Sequence, residues 1–389
     1  MTTGVVCEFN PLHKGHQYLL DTVRQMGADT IVCAMSGNFV QRGDAAIADK
    51  LTRGEMAVRC GADVVFELPT PWAMATAETF AKGGVEMLAL AGCDTIAFGS
   101  ECGDIDALQT VADALCDENI MLTIKRHLES GVTYASARQM AVAERLGEKA
   151  QLLEQPNNTL AVEYLKAIRK LQVDIKCITI PRIGAEHDGD AVGEVASASY
   201  LRELIKSGKP VEKFVPTAAE EVLRRAAEQG SYPVDITLCE RAILAKLRSM
   251  SENDFAAYDP GGEGLYHRLY DAVRQGTTLD EVLTRAKTKR YPMARLRRMV
   301  LAVWLGMSET PEKIPYLRVL AANEQGRKHL RVLQDTGAPI LTKPADVGKL
   351  GSEAEMLFRE ESIRTDLYTL CQPKAAPAGT DWRLTPKMI

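Results

Sequence analysis

Short, almost wholly apolar runs alternate with longer stretches of helical period through the first half of the chain. The runs GVVCEFN, DTIVCAMS, ADVVFELP and CDTIAFGSE are followed in turn by HQYLLDTVRQM, LTRGEMAVRCG, ETFAKGGVEMLALAG and IDALQTVADALCDEN, whose apolar positions recur every three to four residues. A fifth helical segment, NNTLAVEYLKAIRKL, leads into a fifth apolar run, DIKCITIPRI, after which ASASYLRELIKSG reads as a loop entering one more helix. Strands apolar on both faces suit a parallel sheet covered on both sides. Regular alternation with helices predicts a doubly wound, Rossmann-like α/β domain of five parallel strands over residues 1–205.

From residue 206 the strand signal fades. AAEEVLRRAAEQG, CERAILAKLRSM, GLYHRLYDAVRQG, TLDEVLTRAK and MARLRRMVLAVWLGM predict a mainly helical second domain over 206–389, with room for a small mixed element after Pro315. The tail CQPKAAPAGTDWRLTPKMI is rich in proline and reads as loosely held.

Composition narrows the setting. The 389 residues are 46% hydrophobic, enough for full-sized cores and too apolar for a disordered chain. Neither a basic leader with an apolar stretch of signal length nor an apolar run of membrane-spanning length is present, so a cytoplasmic protein with no membrane partner is expected. Nine scattered cysteines without a CxxC pair favour reduced thiols over a disulfide framework or a zinc cage. The net charge of −5 hides an asymmetry: residues 1–205 carry 18 basic and 28 acidic side chains, residues 206–389 carry 29 and 24. Within TRAKTKRYPMARLRRMV (284–300) there are seven basic residues and no acidic one. A phosphate backbone would be drawn there first.

The segment EFNPLHKGHQYLL, residues 8–20, occupies the first strand-to-helix connection, at the carboxyl edge of the sheet where such folds bind ligands. A His-x-x-His pair could begin a zinc site, or place one histidine in the core and one outside. No carboxylate–His pair or cysteine cluster completes a metal site, so none is expected. Pro11 ends the strand, Gly15 allows close backbone approach, and the start of a helix attracts phosphate. Two imidazoles on that turn can donate to phosphate oxygens and stabilise departing pyrophosphate.

His13-x-Gly15-His16 after Asn10-Pro11 resembles the HxGH signature of the nucleotidyltransferase superfamily, relatives of pantetheine-phosphate adenylyltransferase and class I aminoacyl-tRNA synthetases. Together with MSGNFVQRGDAAIADKLTRGEMAV, GADVVFELPTPWA, FGSECGDI, PNNTLAVEYLKA and IPRIGAEHD, it is similar to the bacterial tRNA(Met) cytidine acetate ligase family. The resemblance implies an ATP-dependent ligase that activates acetate as acetyl-adenylate and acetylates N4 of the wobble cytidine of elongator tRNA(Met). A small-molecule adenylyltransferase and a non-catalytic protein binding ATP and RNA are the alternatives; DNA is not an expected partner.

In that family reading His13 and His16 are catalytic. ATP is surrounded by Val6, Cys7, Glu8, Phe9, Asn10, Pro11, Leu12, His13, Lys14, Gly15, His16, Gln17, Tyr18 and Leu19, with Gly99 after the fourth strand, Asn157 or Asn158 at a helix start (Asn158 preferred), and Arg182 after the fifth strand. Ser197, Ser199 and Arg202 resemble a phosphate loop, although a serine N-cap before a helix has the same appearance. Ser36, Asn38, Gln41, Arg42 and Lys50 are candidates to line an acetate or cytidine pocket on an unusually polar loop. Mg2+ is expected to accompany ATP through phosphate oxygens and water. Arg285, Lys287, Lys289, Arg290, Arg295, Arg297 and Arg298 are candidate tRNA contacts, a solvated helix face being the competing reading. The cysteines, Cys7 included, are expected in the core rather than as nucleophiles.

Overall fold

The computed structural model describes residues 1–182, 193–259 and 264–389. Five parallel strands follow the apolar runs: β1 (Thr2–Cys7), β2 (Thr30–Ser36), β3 (Val64–Leu68), β4 (Thr95–Ser100) and β5 (Lys176–Pro181). They are joined by helices that include α1 (Lys14–Gln25), α2 (Lys50–Arg59), α3 (Ala77–Leu90) and α4 (Pro156–Leu171). The central strand is β1, paired with β2 from Thr2–Thr30 to Cys7–Met35 and with β4 at Thr3–Thr95 and Gly4–Ile96. The chain therefore moves outward on one side of β1 and then on the other, which opens a crevice at the carboxyl ends of β1 and β4.

Among the described residues the sheet has eight strands rather than the five expected. β6 (Leu317–Ala322) pairs antiparallel with β3, and β7 (Ile340–Leu341) and β8 (Lys387–Met388) run parallel to β6. The order is β8-β6-β3-β2-β1-β4-β5, with β7 also on β6. The run YLRVLAA is short and lies among helical patterns, so its membership of a sheet begun some 300 residues earlier leaves no local mark. Two helices in the unassigned stretch, Glu118–Glu129 and Tyr134–Leu146, pack on the same side as α4.

Apolar side chains fill both faces of the sheet, and a third cluster forms among the later helices around Phe255, Leu269, Leu296 and Trp304. Those helices include α7 (Met293–Leu305), joined by Tyr368 of α8 (Ser352–Thr369), whereas α5 (Ala198–Lys206) and α6 (Thr217–Gln229) pack on one face of the sheet. The proline-rich tail is pinned instead of loose: Asp381 is fully buried, accepting from Arg318 Nη1 at 2.6 Å, Arg318 Nη2 at 2.9 Å and Lys50 Nζ at 2.9 Å. Lys50 also donates to Glu67 Oε1 at 2.7 Å and to Thr365 Oγ1 at 3.3 Å. Buried charges persist only when paired and hydrogen-bonded, and here the pairing ties β3, α2, β6, α8 and the tail together. Among the described residues no helix is long and apolar enough to cross a membrane.

Candidate active site

Beyond Cys7 the chain turns sharply. Phe9 takes a positive φ of 47°, a conformation that disfavours a non-glycine residue by about 1–2 kcal/mol, and the Asn10–Pro11 peptide is cis. The turn sets the Phe9 ring edge-on against His16, with centroids 5.1 Å apart. His13 is the N-cap of α1: its Nδ1 accepts from Gly15 N at 3.1 Å, while His16 Nδ1 accepts from His13 N at 3.3 Å. The two rings stack at 3.6 Å. Two histidines thus form the reciprocal cap usually made by Ser or Thr with Glu.

That cap fixes the protons. A backbone N–H can only donate, so each Nδ1 holds a lone pair and each neutral ring carries its hydrogen on Nε2. Burial, followed by the nearby Arg182 and Arg202, pushes His13 down to about 3. Burial, His13 and Arg182 likewise hold His16 well below its usual value. Both rings are neutral Nε2–H donors at pH 7. Gly15 has a reason the sequence did not disclose: a Cβ there would lie 3.0 Å from His13 Cε1 and 3.1 Å from Nδ1, so its hydrogen atom makes room for the capping ring.

Two arginines flank the pair. Arg202, on α5, donates from Nη1 to Asn10 O at 2.8 Å and from Nη2 to Ser199 Oγ at 3.2 Å. Ser197 caps α5, accepting from Tyr200 N at 3.2 Å. Arg182 follows β5, and its Nη1 donates to Asn157 Oδ1 at 3.3 Å. Gly99 faces Arg182: an added Cβ would meet Arg182 Cγ at 3.4 Å, ordinary contact.

The two asparagines differ in burial and bonding. Asn158 is buried, and its Oδ1 accepts from Glu101 N at 3.0 Å and Cys102 N at 3.1 Å. Asn157 is half-buried beside Arg182. The Glu101 carboxylate accepts from both backbone amides, Asn157 N at 3.2 Å and Asn158 N at 2.8 Å, so a carboxylate already occupies the start of α4.

The polar loop after β2 folds into a two-stranded ribbon, Phe39–Val40 with Asp44–Ala45, turning at Gly43. Asn38 and Lys50, expected at the substrate, are enclosed: Asn38 bonds Thr365 Oγ1 and Lys50 N, and the Lys50 ammonium sits among Glu67, Asp381 and Thr365. Ser36 is also buried, its hydroxyl without a hydrogen-bond partner among the described residues. Gln41 and Arg42 are half-buried at the edge of the crevice. Gln41 N donates to Glu8 Oε1 at 2.7 Å.

The basic stretch packs directly on this ribbon. Gly43, at φ +75°, lies so close to the middle of α7 that a Cβ would fall 2.5 Å from Arg298 N. Arg298 is half-buried and donates to Gln41 O at 3.1 Å, and burial, then Arg295, lowers its pKa to about 10. Arg295 pairs with Asp259 at 3.3 Å. Arg285, Lys287, Lys289, Arg290 and Arg297 are exposed.

Arg53 was missed by sequence reading. Fully buried, it donates to Ala48 O at 2.8 Å, Glu8 O at 2.6 Å, Ser36 O at 3.1 Å and Gly37 O, fastening the loops after β1 and β2 to each other. A lone arginine inside the apolar face of LTRGEMAVRC was its signal. All nine cysteines are free thiols. Among the described residues no three His, Cys, Asp or Glu side chains gather as a metal site. Residues Ile183–Asp188 of IPRIGAEHD lie outside the described residues.

A profile of the HIGH Nucleotidyl Transferase family matches residues 1–381. Two relatives named tRNA(Met) cytidine acetate ligase are similar over nearly the whole chain. That of Caldanaerobacter subterraneus subsp. tengcongensis is 37% identical over 395 residues, and that of Thermoanaerobacter sp. strain X514 is 35% identical over 393; each alignment covers 97% of both chains. Among solved structures, apo Thermotoga maritima TmcAL superposes with a TM-score of 0.95 at 29% identity, covering 100% of this chain and 99% of that one. The same protein bound with alpha-thio ATP superposes at 0.92, with the same identity and coverage.

Proposed function

The chain belongs to the HIGH nucleotidyl transferase family, and within it to the tRNA(Met) cytidine acetate ligases; on that premise we propose that it activates acetate with ATP and acetylates N4 of the wobble cytidine of elongator tRNA(Met). The observation that carries the reading is the reciprocal histidine cap at the mouth of the central crevice, with Arg182 and Arg202 on its flanks.

ATP lies along the segment from Val6 to Leu19, its phosphates over the start of α1. Acetate oxygen attacks the α-phosphorus, and negative charge grows on the departing pyrophosphate. The Nε2–H groups of His13 and His16 and the two guanidinium groups meet that charge without a protonation change, because the rings are already donors. Arg202, held to Asn10 O, is also fixed relative to the cap. Gly99 and Asn157, which touch or face Arg182, border the adenosine side. Mg2+ bound with ATP would supply charge neutralisation at the triphosphate, the residues on the flanks supplying the rest.

The second step delivers acetyl from acetyl-adenylate to N4 and releases AMP. Exposed Arg285, Lys287, Lys289, Arg290 and Arg297 hold the RNA backbone, while the target base must be unstacked to reach the crevice. Gln41 and Arg42 line its path. In functional terms residues 1–205 carry the nucleotide chemistry and residues 206–389 the tRNA contacts, and the substrate places the enzyme in the cytoplasm. Incubation with ATP, acetate and bulk tRNA, followed by nucleoside mass spectrometry, tests the proposal. N4-acetylcytidine is expected; adenylate formation without acetylated tRNA would instead favour a small-molecule adenylyltransferase.

A further inference from the structure

The acetyl transfer has a proton to place, and the capping histidines cannot take it. The exocyclic amine of cytidine is non-basic, so it must lose a proton as its nitrogen bonds to carbon. His13 and His16 hold their hydrogens on Nε2, and their Nδ1 lone pairs are committed to backbone N–H groups. They donate and do not accept.

The neighbouring carboxylates are also engaged. Glu101 accepts through both oxygens at the start of α4, and Asp49 caps α2. Asp44, which among the described residues accepts only from Ala45 N at 2.9 Å, sits on the second strand of the ribbon. Glu8 differs from Asp44 in place. It stands at the carboxyl end of β1, half-buried, where the nucleotide crevice meets the ribbon. Its Oε1 accepts from Gln41 N, whose residue accepts through its own carbonyl from Arg298 on the basic helix. Its Oε2 has no hydrogen-bond donor among the described residues. Glu8 is thus fixed through one peptide to the element expected to hold the RNA, with one oxygen left to react.

We propose that Glu8 is the catalytic base of acetyl transfer. The inference rests on the ligase reading above. The N4 lone pair attacks the acetyl carbon, the C–N bond forms, and the carbonyl electrons move to oxygen. The N4 proton passes to Glu8 Oε2. The oxyanion then re-forms the carbonyl, breaking the bond to the phosphate oxygen, and AMP leaves with the electron pair. The charged and titratable groups around Glu8 are Cys7 beside it, Arg42 on the ribbon, Arg53 on α2, Tyr164 on α4 and Arg202 on α5. Burial raises the Glu8 carboxyl, opposed by the Gln41 amide and then Arg202, Arg53 and Arg42, which suits a base that must hold a proton briefly.

The experiment supplies synthetic acetyl-adenylate and tRNA to the full chain, bypassing ATP, and follows N4-acetylcytidine in single turnovers across pH. The wild type is expected to slow as pH falls through the Glu8 titration. Glu8→Gln is expected to be about 10²–10⁴-fold slower and to lose that acid limb, with tRNA affinity and melting temperature retained. Glu8→Asp is expected to be slower but to keep the limb, and it carries the test should Glu8→Gln not fold. Transfer by Glu8→Gln within threefold of wild type, or an unchanged acid limb, overturns the base role alone. A wild type that acetylates no tRNA from acetyl-adenylate overturns the ligase reading beneath it.

Discussion

Replacing Gly15 with alanine adds one methyl group at the point where the histidine cap has no slack. The new Cβ would stand 3.0 Å from His13 Cε1 and 3.1 Å from its Nδ1. Carbon atoms settle at roughly 3.5–4.0 Å, so the ring must retreat by about 0.5 Å. It cannot do so freely, because it accepts from Gly15 N at 3.1 Å and stacks on His16 at 3.6 Å. Weakening the cap costs about 1 kcal/mol, which in a protein of this size lowers the melting temperature by roughly 1–2 °C. The catalytic loss is larger: donors displaced by a fraction of an ångström to 1 Å slow a reaction by up to about 10²-fold, near 3 kcal/mol of transition-state stabilisation. A thermal melt measures the first, and acetate-dependent exchange of labelled pyrophosphate into ATP the second. Exchange within threefold of wild type would refute the view that the glycine exists to seat His13. A melting point lowered by more than about 10 °C would show that the residue serves folding instead.

Four further outcomes are expected. His13 is neutral when folded because its pKa is depressed to about 3, against about 6.5 unfolded. Above pH 6.5 it contributes no pH dependence; as pH falls from there toward 3 the unfolded chain binds a proton the fold refuses, and stability drops by about 1.4 kcal/mol per pH unit. Urea midpoints between pH 6.5 and 4.5 read this slope, which should become shallower in His13→Asn and would contradict the argument if it did not. Arg297→Ala should weaken tRNA binding and reduce the salt slope by about 1, as expected for one lost phosphate contact; Arg298→Ala should slow acetyl transfer with the slope intact, since its guanidinium is turned to Gln41 O. Lys50→Met should destabilise by about 3–5 kcal/mol in chemical unfolding, because Glu67 and Asp381 would be left buried beside a lost cation; a change under 1 kcal/mol would mean that Arg318 alone satisfies both.

The parts of the molecule legible in the sequence were those written locally. Each of the first five strands is one apolar run, and the histidine motif sits at a strand end that the alternation itself locates. What escaped depends on distant partners. β6 looks like one more apolar stretch until β3 is beside it, and Asp381 in a proline-rich tail gives no hint of Arg318 and Lys50. Lys50 and Asn38 read as substrate-facing because polar residues on a loop suggest solvent or ligand; a ring of buried partners absorbs them. Arg298 was one cation among seven, and its turn toward Gln41 follows from the close approach that Gly43 permits.

The antiparallel strand β6 makes the chain's two halves physically inseparable even where their tasks divide. Without residues 206–389, β3 would become the border of the sheet, with every residue from Val64 to Leu68 now buried and its backbone groups turned to water. Such a border invites pairing with any other extended chain. A gene fragment ending near residue 205 would retain the histidine cap and yet be recovered as aggregate. Attempts to transplant the nucleotide-handling half into another protein would first have to supply a substitute for a strand that the ribosome makes more than a hundred residues later.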